Sequence, residues 1–247
     1  MLLLIYARAP QAQAVRAAAS GVQGAHAASA DEPCAPVDWT DAWRAGLSPI
    51  VVSDELVVRP SCSTARLAPG QSEIVIDPGQ AFGTGGHEST RLALDLLAAL
   101  PRSLRRGARV LDVGTGSGVL ALAALRLGAA WTLGVDLDRV AVAVALENAR
   151  RNGLAARAAF VAGSLAGLAP RPFDIVLANL LKRELLPILS LLVRHAHSGT
   201  RIVVSGLLGA ENEDVRARLD GAGLRVGATR ERVDASGTAW LGLDLCV

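Results

Sequence analysis

The chain has 247 residues, of which 51% are apolar, enough for one full α/β domain with a small extra piece. A net charge of +2, aromatics at 3% and no basic run argue against a nucleic-acid site or a membrane surface. Cys34, Cys62 and Cys246 show neither C-x-x-C spacing nor a nearby histidine set, which argues against zinc and for reduced thiols in a cytoplasmic protein. Met1–Tyr6 is too short to span a membrane and is soon interrupted by Arg8, so the chain reads as soluble.

In chain order, residues 1–36 hold an Ala-, Gly- and Ser-rich stretch that reads as one helix or a mobile segment. Residues 37–72 read as a connector, with Trp39 and Trp43 on one helical face as a packing stripe, short strands at Val51–Val52 and Leu56–Arg59, and a loop over Ser61–Gln71. From residue 73 to 247 the pattern sharpens. Ile74–Ile76 is a strand, Asp77–Gly86 a glycine-rich loop, and Ser89 or Thr90 can cap a helix running to Leu100, where Pro101 ends it. Strands follow at Arg109–Val113, Thr132–Asp136, Ala158–Ala162, Phe173–Asn179 and Thr200–Ser205, then Arg225–Glu231 and Thr238–Leu245. Helices fit Val119–Leu127, Arg139–Asn152, Arg183–His195 and Glu211–Ala222. Such alternation predicts an α/β fold with a mainly parallel sheet of seven strands and helices on both faces.

Two of these junctions carry chemistry. Asp112-Val-Gly-Thr-Gly-Ser-Gly118 joins a strand to a helix, and the next strand ends at Asp136. This is the arrangement of a nucleoside-binding site: glycines let the backbone approach a ligand, the helix start offers N–H groups to an anion, and the acid can accept from a ribose diol. A dinucleotide fingerprint would place a further glycine in the helix, where this chain has Ala121. The form D-x-G-x-G-x-G resembles the Rossmann-like class I methyltransferases, whose ligand is S-adenosylmethionine. That resemblance implies that the helix start takes its carboxylate, Asp112 attracts its ammonium and Asp136 holds its ribose. Another nucleotide ligand remains the alternative reading.

The runs DPGQAFGTGGHESTRLALDLL, VLDVGTGSGVLALAALRLGA, GVDLD and FDIVLANLL together resemble the PrmA family, bacterial methyltransferases of large-subunit ribosomal protein L-eleven. The likeness covers roughly residues 37–247, and VDWTDAWRAGLSPIVVSDELVVRP is similar to that family's inter-domain linker. It implies cofactor contacts at Thr90, Gly114, Asp136 and Asn179, to which the glycine loop itself adds Gly116 as a candidate, and a loop carrying Phe82, Gly83 and Gly85 that closes over the cofactor. Two departures stand out. Gly86 replaces a threonine of the family's loop, and the stretch before the linker is shorter than the family's ferredoxin-like N-terminal domain, so a shortened N-terminal region is expected.

For the reaction, Asn179 is the candidate that orients an acceptor amine, with His87 as a second candidate; His195 and His197 look structural. Asn179 is followed by Leu-Leu-Lys182, without the proline–aromatic clamp of enzymes that methylate flat bases or amides. The expected partner is thus a protein, ribosomal protein L-eleven first, with methyl groups passed to lysine or α-amino groups. Another protein, RNA, or a non-catalytic module that binds S-adenosylmethionine are the competing readings.

Overall fold

The structure, a computed structural model, describes residues 48–77 and 86–247. Residues 1–47 and 78–85, and with them the readings made for Trp39, Trp43, Phe82, Gly83 and Gly85, lie outside the described part.

Among the described residues the strands form two sheets. In the smaller one, β1 (Ile50–Ser53) pairs antiparallel with β2 (Leu56–Pro60), which pairs parallel with β3 (Ser72–Ile76). Leu56, Val58, Ile74 and Ile76 are fully buried. They enter the same core as Leu94 and Leu97 of helix α1 (Glu88–Ala99). Arg59 and Glu73 join β2 to β3 through two N–H···O contacts of 2.7 and 3.0 Å. The strand expected at Ile74–Ile76 therefore exists but belongs to this small sheet. Its free edge is met by side chains rather than by another strand, as described below.

The larger sheet has seven strands: β4 (Arg109–Val113), β5 (Trp131–Asp136), β6 (Ala158–Ala162), β7 (Ile175–Asn179), β8 (Arg201–Leu208), β9 (Arg225–Val233) and β10 (Ala239–Cys246). Their spatial order is β6-β5-β4-β7-β8-β10-β9. The first five are parallel, and β10 runs antiparallel to both its neighbours. Helices α2 (Arg102–Arg105), α3 (Val119–Arg126), α4 (Arg139–Arg151), α5 (Lys182–Leu185), α6 (Leu189–Arg194) and α7 (Asn212–Gly221) complete the set. Because side chains of a strand alternate between faces, the sheet divides its apolar residues between two cores. Val110, Ile175, Leu177 and Val203 pack with α1 and α3. Leu111, Val113, Val135, Val176 and Val204 pack with α5, α6 and α7. This is the Rossmann-like arrangement that the alternating pattern predicted.

Three local expectations change. The single helix expected over Arg183–His195 is broken into α5, a 3-10 turn at Leu186–Ile188, and α6. Pro187 lies in that turn, where it has no N–H to donate and its ring crowds the carbonyl four residues earlier. Helix α1 is capped by His87, not by Ser89 or Thr90, which are buried in its first turn. Strand β7 starts at Ile175, two residues later than expected, because Phe173 N–H donates to His195 O (2.9 Å) instead of to a strand.

Strand β8 also runs on past Ser205, through a bulge. Leu207 pairs with Leu241 but Val204 with Leu243, so one extra residue is accommodated near Ser205–Gly206. Gly206 has φ +86°, and a Cβ there would lie 2.6 Å from the carbonyl oxygen of Leu180. Both the backbone angle and the contact with main chain demand glycine. Gly206→Ala is expected to lower stability by about 1–3 kcal/mol in denaturant unfolding, from the strained backbone alone. An unchanged midpoint and slope would show that the bulge is not fixed as described.

Candidate functional site

The loop after β4 is held from two sides. Gly114 N–H and Thr115 N–H donate to Val135 O at the end of β5 (2.8 and 3.1 Å), and Gly116 N–H donates to Asp136 Oδ2 (2.8 Å). The second carboxylate oxygen of Asp136 accepts from Asp138 N–H (3.0 Å). Each oxygen of Asp136 thus holds one backbone donor and keeps room for another, on the cavity side. Gly114, Gly116 and Gly118 take φ of 71°, 53° and 82°, a run that only glycine adopts without strain.

Beneath the loop lies Asp112, only 1% exposed. Its Oδ2 accepts from Thr115 Oγ1 (2.7 Å) and from Ala121 N–H in the first turn of α3 (3.2 Å). Its Oδ1 is buried without a hydrogen-bond partner. Burial pushes the carboxyl up to about 7, and the nearby charge of Asp136 adds to this; the bonds from Thr115 and Ala121 act the other way. Asp112 is not among the residues that line the cavity, and its bonds to Thr115 and Ala121 brace the loop from beneath. The cause is steric: the acid ends a strand that is covered on that face by α3.

The cavity has a volume of about 550 Å³ and opens at the C-terminal ends of the parallel strands, where the strand order reverses between β4 and β7. Gly114, Gly116, Asp136, Thr90 and Asn179 all line it, so five of the residues singled out from the sequence converge. Asn179 Nδ2 donates to Thr90 Oγ1 (3.2 Å), tying the end of β7 to the first turn of α1. With Nδ2 held there, Oδ1 is the group with which Asn179 can accept a hydrogen bond from a ligand.

His87 also lines the cavity. Its Nδ1 accepts from Ser89 N–H (3.2 Å) and contacts Ser89 Oγ (2.8 Å), as the cap of α1. The nitrogen able to take up a proton is therefore already an acceptor within the helix cap, and the neutral ring carries its hydrogen on Nε2. That geometry disfavours His87 as a general base. His195 and His197 are remote from the cavity, at the opposite end of β7. His195 is buried against Arg171 and Phe173. His197 pairs with Asp174 (3.2 Å) and is raised above the ordinary histidine value by Ser198 O first and Asp174 second.

Several wall residues had no sequence signal of their own. Ser164 and Leu165 follow β6, Leu180 and Leu181 follow Asn179, and Trp240 comes from β10. Asn148 of α4 was missed as well. Its amide accepts from Asp77 N–H (2.9 Å) and donates to Asp77 O (3.0 Å) and Ser117 O (2.9 Å). One turn on, Asn152 accepts from Val75 N–H (2.9 Å) and donates to Val75 O (2.8 Å). The two asparagines do for the edge of β3 what a neighbouring strand would do. Their spacing of four within an apolar helical pattern is the clue that could have found them. No group of three or more His, Cys, Asp or Glu side chains is placed to hold a metal ion among the described residues, and no described helix is long and apolar enough to cross a membrane.

The sequence matches the family described as ribosomal protein L11 methyltransferase (PrmA) over residues 7–237. The ribosomal protein L11 methyltransferase of Trichlorobacter lovleyi is 40% identical over 187 residues, which cover 74% of this chain and 61% of that protein. The one from Deinococcus radiodurans is 38% identical over 209 residues, covering 82% of this chain and 75% of that protein. The crystal structure of ribosomal protein L11 methylase from Lactobacillus delbrueckii subsp. bulgaricus superposes with a TM-score of 0.70 at 30% identity, over 80% of this chain and 97% of that chain. A SAM-dependent methyltransferase from Thiobacillus denitrificans, solved with S-adenosyl-L-homocysteine, shares the fold at TM-score 0.52 and 18% identity, over 63% of this chain and 90% of that chain.

The buried acid gives a test of the site's construction. Because burial raises its folded value, Asp112 binds its proton more readily in the folded chain than in the unfolded one. That contribution to stability is complete below about pH 4 and is lost as the pH rises toward 7. Between pH 5 and 8 the protein is expected to lose roughly 2–3 kcal/mol more than Asp112→Asn, measured by denaturant unfolding at each pH. Parallel curves for the two proteins would contradict the buried, partnerless Oδ1.

Proposed function

The chain belongs to the ribosomal protein L11 methyltransferase family, with a Rossmann-like class I methyltransferase fold, and on that premise we propose that it transfers methyl groups from S-adenosylmethionine to amino groups of a protein. The observation that carries this reading is the convergence, in one cavity, of the glycine loop, Asp136, Thr90 and Asn179. The chain spans 61% of the Trichlorobacter lovleyi relative, so substrate and partner are part of the proposal. Ribosomal protein L11, after which the relatives are named, is the first acceptor to test, at lysine or α-amino nitrogen. In this reading residues 73–247 carry the transfer chemistry and residues 37–72 act as a connector. The cytoplasm, where ribosomal proteins are made, is the corresponding location.

Each role follows from a contact. Asp136 accepts from the ribose hydroxyls through the lone pairs that Gly116 and Asp138 leave open. The backbone at Gly114 and Gly116 lets the ligand lie flat on the loop, and the start of α3 faces its carboxylate. Thr90 and Asn179 mark the other end, where the methyl acceptor enters. S-adenosylmethionine supplies the methyl group and leaves as S-adenosylhomocysteine once the amine lone pair has displaced its sulfur.

The protein's contribution to such a displacement is alignment and exclusion of water. The nucleophile must be neutral. A lysine with a reference value near 10.4 loses its proton at pH 7 at a cost of roughly 4–5 kcal/mol. Nδ1 of His87 is engaged in the cap, and in this reading water takes the proton. Asn179 Oδ1 then accepts an N–H of the neutral amine and turns its lone pair toward the methyl group.

Labelled S-adenosylmethionine mixed with purified ribosomal protein L11 and, separately, with lysate should place label in protein amine. Label confined to RNA, or to glutamine, would reject the amine, and binding without turnover would reject catalysis. Asp136→Ala should weaken S-adenosylmethionine by roughly 1.5–3 kcal/mol in calorimetry, the worth of hydrogen bonds to a charged group. Asn179→Ala should lower kcat by more than its loss of cofactor affinity, because the orienting contact tightens in the transition state. Equal losses in both quantities would make Asn179 a cofactor ligand only.

A further inference from the structure

Strands β9 and β10 are joined by the turn Asp234-Ala-Ser-Gly-Thr238, which is built around one carboxylate. Asp234 Oδ1 accepts from Ser236 N–H (2.8 Å), Ser236 Oγ (2.5 Å) and Thr238 N–H (3.0 Å). Its Oδ2 accepts from the indole Nε1–H of Trp240 (2.9 Å). The Ser236 hydroxyl, then Trp240, hold this carboxyl well below the ordinary range, so it is ionised at neutral pH. Trp240 is fixed on its other side as well: its ring meets that of His87 edge to face, 4.6 Å between centroids at 77°. Arg232, opposite Trp240 in the hairpin, reaches Glu88 (3.2 Å) and Asp95 (3.3 Å) of α1 and anchors the hairpin to the helix that His87 caps.

This rigid indole lines the same cavity as Asp136, but at its far end. Strands β5, β4, β7, β8 and β10 are consecutive neighbours, so at ~4.8 Å per strand the two residues are about 19 Å apart across the sheet. Asn179 on β7 marks the midpoint. If the cofactor lies from Asp136 to Asn179, as proposed above, two strand spacings remain between Asn179 and Trp240. Leu181 and Gly206 line the cavity along with the indole, while the Leu180 side chain lies over Gly114 on the cofactor side. An apolar sleeve with one amide acceptor at its base and an aromatic ring on its wall suits an alkylammonium side chain. The stem packs on leucine and the cationic head is attracted by the ring face. A carboxylate bonded to the indole N–H pushes electron density into that ring and strengthens the attraction.

We propose that Trp240 is the recognition wall for an alkylammonium acceptor, and that Asp234 is the positioning residue that fixes and polarises it. The proposal rests on the reading of the site given above, and it predicts more than that reading does. It separates acceptor recognition from cofactor binding and assigns it to a hairpin outside the glycine loop and the acid of β5.

The test uses the full chain saturated with S-adenosylhomocysteine, followed by NMR of its indole N–H signals. The chain has four tryptophans, and Trp240→Phe identifies the signal by its loss. Titration with N-acetyl-trimethyllysine amide should shift the Trp240 signal saturably, and the uncharged isostere N-acetyl-norleucine amide should shift it at least fivefold less. Asp234→Asn should weaken the trimethyllysine probe at least threefold while S-adenosylhomocysteine affinity stays within twofold, which also shows that the variant is folded. In a Trp240→Phe background, followed by calorimetry, Asp234→Asn should have no further effect on the probe. No shift, equal shifts with the two probes, or an equal loss of S-adenosylhomocysteine affinity in Asp234→Asn would overturn the proposal. Failure of the broader reading looks different. No methyl transfer to any amine, with Trp240 still responding to the cationic probe, removes the proposed reaction and leaves this binding wall intact.

Discussion

The site depends on a glycine loop that is gripped by two carboxylates of opposite circumstance. Asp136, at the edge of the cavity, takes the N–H of Gly116 from the far strand. Asp112, fully inside, takes the hydroxyl of Thr115 and the N–H of Ala121. Between them they fix a segment whose three positive φ angles would otherwise leave it free to move. Helix α3 begins where this segment ends, with Gly118 as its cap and no capping side chain. The direction in which the helix start points is therefore set by the loop. A buried acid with one unsatisfied oxygen costs stability; what it supplies in return is a loop held in place without a side chain intruding on the ligand.

The walls of the cavity are fixed by similar polar fastenings at long sequence separation. Asn148 joins Asp77, just after β3, to Ser117 in the loop after β4. Ser205 Oγ donates to Ser89 O (2.7 Å), which ties β8 to the first turn of α1. Thr90 and Asn179 repeat that tie on the cavity side. These contacts cross between elements that the two apolar cores alone would hold only in approximate register. An apolar core sets distances between layers, but it does not fix which way an amide points. The hydrogen bonds do.

How much of this could be read from the sequence follows from which forces write themselves into local pattern. Strand and helix order were legible because alternation and 3.6-residue periodicity record burial directly, and all seven strands of the large sheet overlap the stretches that the pattern gave them, with some ends shifted. The glycine loop, Asp136 and Asn179 were legible because they sit at strand ends, which parallel topology gathers on one side. The burial of Asp112 was not legible. Its spacing is that of a ligand contact, and only the position of α3 over β4 shows that the acid is covered. The break at Pro187 was visible in principle, since proline ends helical hydrogen bonding, but the apolar periodicity continues across it. Nothing local marked Trp240, and only its spacing of four from Asn152 hinted at Asn148. Their partners are Asp234 in a turn, His87 at the cap of α1 and Asp77 just after β3, and only the folded chain brings these together.

The central claim is that the cavity holds a nucleoside sulfonium lengthwise, ribose at β5 and reacting carbon at β7, and leaves the β10 end to the acceptor. A crystal structure of the full chain with S-adenosylhomocysteine tests it most directly. The account predicts ribose hydroxyls within hydrogen-bonding distance of both Asp136 oxygens, the sulfur facing Asn179, and open space between the sulfur and Trp240. A nucleoside stacked on Trp240, or a ribose that makes no contact with Asp136, would contradict it.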